Sequence, residues 1–399
     1  MTLALSARRP QGRSAQSLGA SLGAILGASF AAPLAAVTVL TFILAGCAAP
    51  APPPAPPPPP PVVVPSVNLS ARVVEQASAY RAYIAHATAI SPAFTDGSAV
   101  AESLKTGEAY EPTQLLRGAI AYGAVVALQD PAYVAGVRKF VSDPAQRRTI
   151  AYEVMKDPAY AVGFAGSATA AGLVMNALGS DGRKLIESGR SVRQAAYDVQ
   201  HQAWSKTEVA GRDGRLALAK QLSSTPGLGE VAETARLQLA VTGSTPLGLT
   251  GETASPPYTP MVIRSLAVAA LAALGYADDA SLAQVMPILT EGNAANCLNM
   301  SKLNLYQCLA VAKPHYEDVF CLGQHVLMDT GQCLGKMSSN ALSFEPTHPM
   351  FGINADGTTS ATAVAYLQPE PAPAKCRKGR KCAASAPAAA SHKKRHRGA

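Results

Sequence analysis

CLNMSKLNLYQCLAVAKPHYEDVFCLGQHVLMDTGQC, residues 297–333, holds four of the seven cysteines of the 399-residue chain and sets the reading of its last third. Residues 299–312 and 315–328 read as two helices parted at Lys313-Pro314, because proline ends the first and suits the first turn of the second. The two can fold back as an antiparallel hairpin. Cys308 lies six residues before Pro314 and Cys321 seven after it, while Cys297 lies seventeen before and Cys333 nineteen after. Positions equally distant from a bend come to face each other, so the expected pairs are Cys308 with Cys321 and Cys297 with Cys333. Of the three pairings that four cysteines allow, the sequential one joins Cys297 to Cys308. Eleven helical steps hold those two roughly 16 Å apart, and a disulfide needs Cα atoms about 4.4–6.8 Å apart.

The layout resembles the paired-cysteine hairpins of the coiled-coil-helix family, although ten and eleven residues separate the cysteines here instead of the usual nine. The same stretch carries the densest group of reactive polar types in the chain: His315, Glu317, Asp318, His325 and Asp329. His315 and Glu317 can act as an acid/base pair, and Cys321 with His325 has the i, i+4 spacing that shares a metal on one helical face. In an exported chain, four cysteines favour two disulfides over zinc, so no metal and no cofactor is expected. Phosphate-loop, His-Glu-x-x-His, haem-attachment and calcium-loop motifs are all missing from the sequence. Those common routes to catalysis are closed.

Upstream, alanine-rich segments with few Val/Ile/Thr alternations predict helices throughout. One spans Leu69 to Ile90. A second runs from Pro112 to Leu128 with two apolar rows, Leu115-Ala119-Tyr122-Val126 and Leu116-Ile120-Gly123-Ala127, on one inward face. Asp-Pro-Ala recurs at Asp130, Asp143 and Asp157. Aspartate caps the free N–H groups of a first turn, and proline fits the position after it. Each triplet therefore starts a helix, and the similarity around them is too brief to define a repeat. Residues 158–179 carry no charge and are expected to form a buried central helix, as are Met261–Tyr276. Gly243–Pro260 is rich in Gly, Thr, Ser and Pro, which predicts a loop. It divides the expected body into a helical lobe over 66–242 and a second lobe over 261–345 that contains the cysteine hairpin.

At the other end, no charge occurs between Arg13 and Arg72. A basic start followed by an apolar stretch from Ala35 to Ala45 is the layout of a secretory signal. It ends Leu44-Ala45-Gly46-Cys47, which resembles the lipobox of bacterial lipoproteins. That resemblance implies cleavage of residues 1–46 and diacylglyceryl attachment to Cys47. Ala48, where an aspartate would retain the protein at the inner membrane, implies the outer membrane and a lipid-anchored protein facing the periplasm. Several acyl chains on one residue hold stably, since each buried CH₂ adds about 0.8 kcal/mol. Residues 50–65 hold eleven prolines in sixteen positions. That composition is expected to form a semi-rigid polyproline spacer of about 3.1 Å per residue. Residues 47–65 are thus a lipidated linker.

The formal charge of +8 is unevenly divided. The signal carries three basic residues and 375–399 carry nine, with no acid in either, which leaves 22 basic against 26 acidic residues between them. A body of charge −4 argues against nucleic acid as partner. Residues 346–399 are expected to be a disordered basic tail, in which Cys376 and Cys382 enclose a basic loop and can form a local disulfide. Its expected partners are anionic: peptidoglycan or anionic lipid. The Asp-Pro-Ala segments and the cysteine region are similar to alphaproteobacterial envelope lipoproteins, a resemblance that implies no activity. The expectation is an all-α bundle or helical array, with one lobe or two and a stapled hairpin. It would act as a tethered scaffold or interaction module for other envelope proteins. The alternative is a periplasmic enzyme on a cell-wall component using His315, Glu317 and His325.

Overall fold

A computed structural model describes residues 64–339, together with 351–353 and 359–361. The chain is built from helices, and local chemistry sets where most of them begin. Ser70 caps α1 (Ala71–Thr88), Asp96 caps α2 (Gly97–Glu108), and the Glu111 carboxylate accepts from Thr113 and Gln114 at the start of α3 (Pro112–Ala127). Asp130 and Asp143 cap α4 (Pro131–Arg138) and α5 (Pro144–Lys156), each with proline in the first turn. A side-chain cap of this kind contributes about 1 kcal/mol. The third Asp-Pro-Ala, at Asp157, starts only the 3-10 turn Pro158–Gly163. The expected continuous helix over 158–179 is therefore broken. Gly166 stands at φ +83°, with the Tyr133 backbone against the place a Cβ would occupy. Beyond that break runs α6 (Ser167–Val199), 33 residues and roughly 50 Å long.

The remaining helices are α7 (Arg212–Ser224), α8 (Val231–Val241), α9 (Pro260–Leu274), the short α10 (Leu282–Val285) and α11 (Gly292–Val311). After them α12 (His315–Cys321) continues through the π-helical turn Leu322–Met328 into α13 (Asp329–Ser338). Phe351–Ile353 and Thr359–Ala361 pair as a short antiparallel ribbon inside the segment expected to be tail. Among the described residues no single helix is long and apolar enough to cross a membrane.

Both apolar rows of α3 are buried, because α1, α6 and α9 cover it on different sides. α9 is enclosed along nearly its whole length, and Arg264, the charge within its apolar run, turns its guanidinium to the Ile288 carbonyl at 3.1 Å. α1 is tied to α6 by Asp181, which accepts from the Tyr80 hydroxyl at 3.0 Å and pairs with Arg81 at 2.7 Å. Segment 243–260 is a loop but not a boundary between lobes. One apolar core runs from Leu69 to Met337, with α9 packed on α3 and with α13 and the π-helical turn packed on α6. Composition marks a loop; it says nothing about which helices on either side share a core.

α6 and the second hairpin arm approach closely enough to need glycines on both sides. A Cβ at Gly182 would lie 2.8 Å from the Gly331 carbonyl oxygen, and one at Gly189 would lie 2.8 Å from that of Gly323. The hairpin is thus pressed against the longest helix backbone to backbone.

Candidate functional site

Two disulfides staple the hairpin, Cys297–Cys333 and Cys308–Cys321, each with Cα atoms 5.7 Å apart. These are the pairs that equal distance from Pro314 leads one to expect. The facing angles have a less obvious cause. On α11, eleven steps of about 100° bring Cys308 to within roughly 20° of Cys297. On the other arm, twelve such steps would leave Cys333 about 120° away from Cys321, and one bridge could not close. The π-helical turn Leu322–Met328, bonded i to i+5, advances less per residue than an α-helix and so reduces the mismatch. Both cysteines of this arm are bonded to α11. By loop-closure entropy the inner bridge, across 13 residues, stabilises by about 3 kcal/mol and the outer, across 36, by about 4 kcal/mol.

The suspected reactive residues do not converge. His315 follows the bend, with its ring near Trp204 at 6.3 Å between centroids and beside Gly97. Burial and the neighbouring Arg215 lower its pKa. The Glu317 carboxylate accepts from the Lys313 backbone N–H at 2.7 Å, which closes the bend. His325 lies ten residues beyond His315, roughly 15 Å along the arm, where its Nδ1 is 2.9 Å from Asp329. Asp329 also accepts from Gln324 and Asn304. Burial raises its pKa, but the bonds from His325, Gln324 and Asn304 outweigh this and hold it below the usual range. No hydrogen bond to His325 Nε2 is present among the described residues. Cys321 is in a disulfide and cannot share a metal with His325. Among the described residues no three His, Cys, Asp or Glu side chains are grouped to hold a metal. Cys47, Cys376 and Cys382 lie outside the described residues.

Two features escaped the sequence reading. The first is a buried ionic group where α2, α7, α11 and α12 meet. Lys302 donates to the Glu108 carbonyl at 2.6 Å, and its ammonium stands 3.4 Å from the centre of the Tyr110 ring. The Glu108 Oε2 has no hydrogen-bond partner, while Asp318 pairs with Arg215. Burial lowers the Lys302 pKa strongly against the pull of Glu108. Burial likewise raises Glu108 to about 7 and Asp318 to about 6, opposed by Lys302 and Arg215 respectively. Glu108 and Lys302 are 194 residues apart, a pairing no local pattern reveals.

The second feature is a groove at the bend of the hairpin, where α6 ends. An apolar hollow of about 200 Å³ has Tyr197, Val311, Tyr316 and Phe320 around it and the Cys308–Cys321 bridge among its lining residues. Tyr197 and Phe320 meet edge to face at 6.4 Å. Tyr197 is 51% exposed and Val311 74%. Exposed aromatic and aliphatic side chains grouped beside a rigid staple form a surface suited to a partner. No known protein family, curated protein or solved structure matches the chain.

Proposed function

We propose that the protein is a cell-envelope lipoprotein, anchored through Cys47 at the periplasmic face of the outer membrane, and that its helical body is a scaffold for envelope partners. The apolar groove at the hairpin bend carries this reading, because the exposed Tyr197 and Val311 beside the half-buried Tyr316 and Phe320, backed by a disulfide, give a pre-ordered docking surface. Its position suits the role. Pro65, where the linker meets the body, accepts a hydrogen bond on its carbonyl from Arg138 at the end of α4, beside the start of α6. The groove lies at the other end of α6, roughly 45 Å away. The basic residues of 375–399 supply a second contact, to peptidoglycan or anionic lipid.

A photo-crosslinking amino acid at position 197 tests the docking surface. Discrete adducts are expected in intact envelopes and should disappear when Cys47→Ser leaves the precursor unprocessed and unlipidated. Lipid labelling and normal processing of Cys47→Ser would remove the anchoring claim.

The enzymatic alternative is favoured by one observation, the His325–Asp329 pair. His315, Glu317 and His325 replaced jointly by alanine should leave muropeptide composition unchanged and should complement a deletion strain as the unaltered chain does. Loss of complementation by a stable, correctly anchored triple variant would favour the enzyme.

A further inference from the structure

The apolar hollow does not stand alone. It shares Gln200 and Tyr316 with a second hollow of about 280 Å³ that His201, Lys206 and Pro314 complete. No acidic side chain lines the second, and neither His201 nor Lys206 has an ion-pair partner among the described residues. Glu317, the one acid beside the apolar hollow, is held by the Lys313 N–H. The groove thus asks for an apolar group and a negative charge side by side. Whole small-molecule sites occupy about 300–1,000 Å³, so 200 Å³ of apolar space holds one large side chain and not a long acyl chain. Within a polypeptide, a side chain is flanked by neutral amides. Only at the C-terminus does one residue carry both an apolar side chain and a carboxylate.

Resting on the reading of this groove as a docking surface, we infer that it binds the C-terminal residue of a partner polypeptide. A large apolar side chain enters the hollow lined by Tyr197, Val311, Tyr316 and Phe320, and the carboxylate accepts a charge-assisted hydrogen bond from Lys206 and a further hydrogen bond from His201.

The test uses the full lipidated chain in nanodiscs and a fluorescein-labelled pentapeptide ending in phenylalanine, read by fluorescence anisotropy. The free acid should bind at least about tenfold more tightly than the same peptide amidated at its C-terminus. Lys206→Glu should remove that difference by weakening the acid alone, and Tyr197→Ala should weaken both forms. Both side chains are exposed, and circular dichroism confirms that the variants fold. Equal binding of acid and amide overturns the inference, as does failure of the acid to bind by about 1 mM. Lys206-dependent binding of decanoate without binding of the peptide also overturns it, by making the occupant a lipid. Adducts from position 197 that persist while the peptide fails leave the docking surface standing and remove only this occupant.

Discussion

Gly323→Val is expected to destabilise the fold by about 3 kcal/mol, read as a lowered midpoint in urea or heat. Gly323 lies in the π-helical turn, against the backbone of Arg193 and 2.8 Å, measured from an added Cβ, from the Gly189 carbonyl oxygen on α6. Neither neighbour is the free end of a flexible side chain, so the clash is relieved only by separating two helices. Separation would open the contact that seats the hairpin on α6. Gly214 in α7 is the control: an added Cβ there meets nothing within 4 Å. Replacing a helical glycine by alanine in open space stabilises by about 0.5–1 kcal/mol. A Gly323→Val variant as stable as the unaltered chain would mean that the arm does not press on α6 as described.

Stability is also expected to fall between about pH 4.5 and 7.5, and Glu108→Gln should flatten that slope by about 3 kcal/mol over the interval. An unfolded glutamate releases its proton near about 4.3, whereas Glu108 in the fold keeps it to about 7 because burial penalises the charged form. The native state therefore binds more protons than the unfolded state across this window. The contribution is whole below the unfolded pKa and is lost as pH rises through the folded one. Asp318, held up to about 6, acts in the same direction. Lys302, whose pKa is depressed, acts in the opposite one, and Glu108→Gln removes the carboxyl together with its pull on Lys302. Melting profiles of the two proteins at several pH values decide the point; parallel profiles would show that Glu108 does not titrate there.

Much of the helical plan was legible because it is local. Proline at 112, 131, 144 and 260 starts helices where its missing N–H costs nothing, and Pro314 fixes the bend from which the cysteine pairing follows. The π-helical turn was not legible. No residue type encodes it; it follows from tying twelve steps on one arm to eleven on the other. Nor was the shared core, since the burial of α9 against α3 joins segments more than a hundred residues apart. Reactive side chains are a similar case. His315, Glu317 and His325 are neighbours in sequence, yet they serve a ring contact, a bend and a carboxylate pair respectively. The groove draws Tyr197 from a helix that ends more than a hundred residues before Val311, and the basic pair His201 and Lys206 stands out in the sequence no more than any other.

Nested bridges carry a consequence for biogenesis. On the proposed export route the chain reaches an oxidising compartment with its N-terminal part first, so Cys297 and Cys308 are exposed together before Cys321 and Cys333 arrive. Nothing in an unfolded segment keeps those two thiols apart, and the first bond available is the one the finished hairpin forbids. Correct maturation then requires a thiolate to attack that early bond and pass it on. The yield of native protein in the cell should accordingly depend on a disulfide isomerase more than on an oxidase alone, and least in a chain whose Cys308 and Cys321 are both serine, where the hairpin has a single closure to make.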